Sequence, residues 1–125
     1  MALLHEDVTE AIIGGAIRVH TELGPGLMES AYEHCLAYEL VSQGLDVVRQ
    51  VPLPVRYRDV QLDCGYRMDM VVNEVVILEL KCVDKVLQLH ESQIMTYLRL
   101  SGKRVGLLIN FNVAQLIKGV TRRVI

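Results

Sequence analysis

The sequence predicts an α/β fold in which a mixed β-sheet is flanked by helices. Apolar residues recur at helical spacing over residues 6–22 and 27–43. Apolar runs typical of buried strands occupy residues 65–81 and 105–111. Turn residues separate these segments, and the chain of 125 residues is long enough for one core but too short for two. We therefore expect a single domain over residues 1–125.

The first two elements are predicted to be amphipathic helices. The first spans residues 6–22 and ends at the Gly-Pro-Gly turn of residues 24–26. The second spans about residues 27–43, with Gly44 at its C-terminal cap. Each helix has an apolar stripe that a sheet can cover.

Three strands are predicted next, over residues 45–57, 61–72 and 75–83. Pro52 and Pro54 indicate that the first strand lies at a sheet edge or is interrupted there, because proline cannot donate a ladder hydrogen bond.

The remaining elements are a helix over about residues 85–101, ended by Gly102, and an apolar strand over residues 105–111. The tail fits a short helix or a strand, and we favour a strand around residues 121–125. The predicted order is α-α-β-β-β-α-β plus this tail.

Composition excludes some classes of protein. Although 51% of the residues are hydrophobic, no apolar run approaches the ~20 residues that span a bilayer. The N-terminal residues lack the basic region and long apolar stretch of a signal peptide. The three cysteines include no CxxC pair, which favours a reducing compartment over a disulfide framework. We expect a cytoplasmic protein that does not bind membranes.

Three of the charged residues between positions 65 and 81 stand next to buried strand residues: Asp69, Glu79 and Lys81. A charge in a water-poor site costs several kcal/mol unless it finds a partner or a metal. Because side chains alternate along a strand, Glu79 and Lys81 share one face, while the opposite face is apolar and should pack against helices.

The connecting turn decides whether Asp69 joins Glu79 on that face. A two-residue loop at positions 73–74 would pair Val72 with Val75 and place the two acids on opposite faces. We therefore expect a turn with an odd number of residues, or a β-bulge that redirects one acid.

Asp69 followed by Glu79-Leu-Lys81 on a neighbouring strand resembles the PD-(D/E)XK nuclease superfamily. The glycine of Gly65-x-x-x-Asp69 and the motif Gln93-x-x-x-Tyr97 are similar to one exonuclease-like branch of it. Residues 26–32, Gly-Leu-Met-Glu-Ser-Ala-Tyr, resemble the motif of the GxxExxY family. The resemblance implies a restriction-endonuclease-like core and a metal-dependent nuclease.

The resemblance also implies roles for individual residues. Asp69 and Glu79 would bind Mg²⁺, for which Mn²⁺ would substitute, together with the backbone carbonyl of Leu80. Lys81 would orient or activate the attacking water. Glu29 would be a third acidic ligand, direct or through water; the alternative is a carboxylate that suits the positive end of its helix.

Gln93 and Tyr97 lie four residues apart and face the same way along their helix. The resemblance implies that they cover the active hairpin, where Gln93 would bond a catalytic group or a phosphate and Tyr97 would orient a neighbour. A purely structural role is the alternative.

Other sites are less well supported. No His or Cys pair has the spacing of a zinc site, and Cys82 is expected to be a core residue rather than a nucleophile.

The net charge of −2 is unusual for a protein that binds a phosphate backbone. Several basic residues fit either solvated surface charges or a nucleic-acid surface: Arg49, Arg56, Arg58, Arg67, Lys85, Lys103, Arg104, Arg122 and Arg123.

Two functions follow from these observations. The first, which we favour because all three charged residues are present, is a nuclease that cleaves DNA in repair or defence. The second is a binding or regulatory module that retains the fold and acts through a protein partner. The small size and acidic balance favour this second function, or a nuclease that holds DNA as a homodimer or with a partner.

Overall fold

A computed structural model describes residues 3–125, so the first two residues of the predicted domain lie outside the described part. The helices are α1 (Glu6–Leu23), α2 (Glu29–Ser42) and α3 (Gln88–Ser101). The strands are β1 (Val47–Pro52), β2 (Val55–Tyr57), β3 (Val60–Leu62), β4 (Arg67–Val72), β5 (Val76–Lys81), β6 (Val105–Asn110) and β7 (Val120–Val124), with a 3₁₀ helix (Leu116–Gly119) before β7.

Five strands form one mixed sheet in the order β1-β4-β5-β6-β7. Strands β5 and β6 pair in parallel, with α3 as their crossover, and the other neighbours pair antiparallel. Helices flank this sheet, which confirms the predicted α/β class and is consistent with a restriction-endonuclease-like core.

The two faces of the sheet carry separate apolar clusters. One face, with Val76, Leu78 and Leu80 from β5, packs against α1 and α2. This confirms the expected apolar face. The other face, with Val71 and Ile77, packs against α3. By strand alternation, Glu79 lies on the same face as Ile77, which is the face that α3 covers.

The strand boundaries differ from the prediction at two places. The strand expected over 45–57 is two strands, because Pro52 ends β1 and Pro54 precedes β2. Strand β1 is also an edge of the sheet, so both expectations about the prolines are confirmed.

The strand expected over 61–72 is likewise divided, into β3 and β4. Gly65 adopts a left-handed conformation (φ 78°), and its N–H donates to the Asp63 carboxylate at 3.0 Å. This local turn replaces ladder hydrogen bonds, so five strands rather than three precede α3.

The C-terminal half agrees more closely with the prediction. Helix α3 begins at Gln88 rather than Lys85, because Leu87 is extended, and it ends at left-handed Gly102 as expected. The favoured C-terminal strand is confirmed as β7. None of the helices within residues 3–125 has the length and apolar character needed to cross a membrane.

Candidate active site

A three-residue turn connects β4 to β5 and sets their register. Val72 pairs with Val76, and Asn73 and Glu74 take left-handed conformations (φ 51° and 62°). Asp69 lies three residues before Val72, and Glu79 lies three residues after Val76. The same register therefore places Asp69 opposite Glu79. The predicted odd-length turn is therefore confirmed.

The strand alternation is also interrupted at Asp69. Met68 and Val71 are three residues apart, yet both belong to the cluster beneath α3. In the β1–β4 register the position opposite Asp69 is Gln50, which has a left-handed backbone (φ 51°). Asp69 thus has no ladder partner on β1 or on β5.

The carboxylates of Asp69 and Glu79 each accept a hydrogen bond from a backbone N–H of the opposite strand. The Leu80 N–H donates to Asp69 Oδ2 at 2.8 Å, and the Asp69 N–H donates to Glu79 Oε1 at 3.4 Å. These contacts take the place of ladder hydrogen bonds, because the paired stretch ends at Met70 and Leu78. Since the N–H and C=O of one residue point to the same side of a strand, the Leu80 carbonyl is expected on the β4 side of β5.

Burial makes it costly to ionise both carboxyl groups. Glu79 is only 4% exposed, and this burial, with the charge of Asp69, raises its pKa to about 9. Burial and the charge of Glu33 raise the pKa of Asp69, although the bond from Leu80 N–H opposes this rise. The pair therefore retains a proton near neutral pH when no cation is bound.

Lys81 lies at the end of β5, two residues beyond Glu79 and half-buried. Its charge lowers the pKa of both Asp69 and Glu79. Within residues 3–125 it forms no ion pair with either acid.

Helix α3 brings Gln93 and Tyr97 to the same face. The Gln93 amide donates to the Tyr97 hydroxyl at 3.0 Å, and the Tyr97 ring packs with Leu98 against β4 and β5. Burial, followed by the charge of Glu79, raises the pKa of Tyr97. The Tyr66 ring contacts the Tyr97 ring edge-on, with 6.2 Å between the ring centres. Tyr97 is thus both a packing residue and a neighbour of the carboxylate pair.

The sequence prediction did not include Glu33, the acidic residue of α2 whose charge raises the pKa of Asp69. Glu33 is buried and accepts bonds from Arg49 Nη2 at 2.7 Å and Gln50 Nε2 at 2.8 Å. A signal was available, because Glu33 lies four residues after Glu29 on the stripe that includes Leu36 and Leu40, where a charge needs a partner.

The structure does not bring Glu29 into the pair. It is exposed in the first turn of α2, and its charge contributes to a raised pKa at Cys82. By strand alternation Cys82 points away from Glu79 and Lys81. The ligand role of Glu29 stays a prediction.

The site fits a hard divalent cation in the chemistry of its donors. Two carboxylates converge in a buried place where their charges repel each other, and a cation would relieve that repulsion. Within residues 3–125, no group of three or more His, Cys, Asp and Glu side chains is arranged to hold a metal. Remaining positions would therefore be filled by the Leu80 carbonyl and by water or substrate oxygens.

Cysteine chemistry does not contribute to this site. Burial, then the charge of Glu29, raises the pKa of the Cys82 thiol to about 11, so it is a poor nucleophile. Cys82 packs against the main apolar cluster, as the sequence predicted.

Comparison with known proteins identifies the family. A sequence model of the PD-(D/E)XK nuclease superfamily matches residues 6–124. No curated protein and no solved structure gives a significant match. The matched segment includes the whole of both faces of the sheet and every residue of the site. The chain therefore belongs to the PD-(D/E)XK nuclease superfamily.

Proposed function

We propose that the protein is a Mg²⁺-dependent nuclease of the GxxExxY family that hydrolyses phosphodiester bonds in DNA. The observation that carries this proposal is the meeting of Asp69 and Glu79 across a distorted strand pair, with Lys81 beside them. Superfamily membership supports a nuclease over other uses of two paired acids.

Asp69, Glu79 and the Leu80 carbonyl would hold the cation, with Mn²⁺ as a substitute for Mg²⁺. A bound divalent cation supplies charge neutralisation at the phosphate and lowers the pKa of water. The Leu80 N–H keeps the Asp69 carboxylate oriented, because its 2.8 Å bond holds Oδ2 in place.

Lys81 supplies the positive charge of the protein itself at this site. Its ammonium, whose charge lowers the pKa of both acids, would orient the attacking water and stabilise negative charge on the phosphate oxygens. Gln93 and Tyr97 would complete the pocket wall, with the Gln93 amide oxygen and one remaining N–H available to water or phosphate.

One observation favours the second candidate, a non-catalytic module that binds a protein partner. Within residues 3–125 no third acid joins Asp69 and Glu79, and Glu29 is exposed. A nuclease that completes its grip on DNA as a homodimer or with a partner protein is compatible with the same observation.

Cleavage of labelled DNA separates the two candidates. The native chain is incubated with single-stranded, duplex and branched oligonucleotides in Mg²⁺, Mn²⁺ or EDTA. The nuclease predicts metal-dependent products that are lost in Asp69→Asn and Lys81→Ala but retained in Lys118→Ala, an exposed lysine of the 3₁₀ helix before β7. Intact substrate under every condition, from a protein that melts cooperatively, contradicts the nuclease.

A further inference from the structure

Strands β2 and β3 form a hairpin that is separate from the main sheet. Val55 pairs with Leu62 and Tyr57 with Val60, and left-handed Arg58 (φ 55°) begins the turn between them. We call residues 55–66 the arm. Its residues from Arg56 onward are all exposed.

The arm carries aromatic and apolar side chains that are exposed to solvent. Tyr57 is 59% exposed and Tyr66 46%, and Val60 and Leu62 are also exposed. A hairpin of two three-residue strands gains little stability by itself, so these side chains are not explained by a core of their own.

The base of the arm is fixed beside the candidate active site. The Leu53 N–H donates to the Tyr66 carbonyl at 2.9 Å, and Leu53 is buried in the cluster that contains Tyr97. The Tyr66 ring contacts Tyr97, which is buried in one cluster with Met68 and Ile77, the first next to Asp69 and the second two residues before Glu79. A ligand held along the arm would therefore extend to the carboxylate pair.

The arm combines the groups that bind unpaired nucleotides. Its guanidinium groups, with that of Arg67 next to it, can contact phosphates, and its tyrosines can stack on bases. At the turn, Arg58 Cζ lies 5.3 Å from the centre of the Tyr57 ring, so cation and ring are presented together. A duplex keeps its bases stacked on one another and offers no free base to such a ring.

We propose that the arm binds single-stranded nucleic acid, with the Tyr57 ring stacking on an unpaired base, and so directs the enzyme to single strands and frayed ends. This inference rests on the proposed function and names its substrate class.

Binding is measured separately from cleavage. The full chain carrying Asp69→Asn is titrated into a fluorescent oligothymidylate and into a blunt duplex of equal length, and anisotropy is recorded. Tyr57→Ala should weaken single-strand binding about tenfold or more, since a stacked base contributes on this scale, and leave duplex binding unchanged. Arg58→Ala should weaken it less and reduce its salt dependence.

Matched variants test whether the ring itself matters. Tyr57→Phe retains the ring and should bind as tightly as the parent. Tyr38→Ala removes an 80% exposed tyrosine from α2, outside the arm, and should also have no effect. Equal single-strand affinities for Tyr57→Ala and Tyr38→Ala would overturn the inference.

A cleavage experiment distinguishes this inference from the proposed function. If the native chain cleaves single strands and Tyr57→Ala cleaves them equally well, the arm inference fails and the nuclease stands. If the native chain cleaves nothing but Tyr57-dependent single-strand binding is found, the nuclease fails and the arm inference stands.

Discussion

Asp69 and Glu79 lie opposite each other on antiparallel strands, and the Asp69 N–H donates to the Glu79 carboxylate at 3.4 Å. Two acids in this relation, with Glu79 buried, share an environment that disfavours two negative charges. Protonation of the pair is therefore coupled to stability and, if the pair holds the proposed cation, to cation binding as well.

The stability of the metal-free protein should fall as pH rises from about 5 to 9. The pKa of Glu79 in the folded protein, about 9, is above its ordinary value of 4.5. Between these values the folded state holds a proton that the unfolded state has lost, so rising pH favours unfolding. Urea melts in EDTA at pH 5, 7 and 9 measure this slope. Glu79→Gln should flatten it, whereas Glu10→Gln, at an exposed position on α1, should leave it unchanged.

A divalent cation should stabilise the protein more at high pH than at low pH. Binding requires both carboxylates to lose their proton, so cation and proton compete for one site. Thermal melts are recorded at pH 6 and pH 8.5, without Mg²⁺ and with Mg²⁺ concentrations that increase 10-fold at each step. The rise in Tm should be larger at pH 8.5. Asp69→Asn should abolish the rise, and an equal rise in this variant would place the cation elsewhere.

Lys81→Ala should remove cleavage while retaining cation binding. The Lys81 charge lowers the pKa of both acids, but within residues 3–125 Lys81 forms no ion pair with them, so its loss leaves the donors in place. We expect a decrease in kcat of roughly 100-fold or more, comparable to the loss of one preorganised electrostatic group. The Mg²⁺-dependent rise in Tm should persist. Loss of that rise would instead make Lys81 a structural support of the metal site.

Arg49→Met should destabilise the protein by about 2–4 kcal/mol, because it leaves the buried Glu33 carboxylate without its cation. Arg18→Met is the matched control. Its partner Glu39 is more exposed, and the Arg18 side chain is 48% exposed, so about 0–1 kcal/mol is expected. Urea unfolding of the two variants measures the difference, and equal losses would show that the Arg49–Glu33 ion pair stabilises the protein no more than an exposed one.

Tyr97→Phe should separate packing from hydrogen bonding on α3. The ring keeps its contacts with Tyr66 and the apolar cluster, while the bond from Gln93 is lost, so about 1 kcal/mol of stability is expected to disappear. Gln93→Ala should cost a similar amount, and the double variant should cost little more than either single one. Fully additive losses would show that the two side chains act independently.

The sequence by itself determined which residues are exceptional. Strand alternation and the length of the hairpin turn showed that Asp69 and Glu79 could lie on one face of the sheet only with an odd-length turn or a bulge. A four-residue spacing placed Gln93 and Tyr97 on one side of a helix. Both rules are local, since they depend on the fixed geometry of a strand or helix, and the structure confirmed both placements.

Only the tertiary structure decided what surrounds these residues. The bonds from Arg49 and Gln50 to Glu33 join residues 16 and 17 positions apart, on a strand and a helix whose mutual packing no local period specifies. The same packing leaves Glu29 exposed and sets the arm beside Tyr97. Local periodicity determines the face on which a side chain lies, whereas the docking of separate elements determines what that face meets.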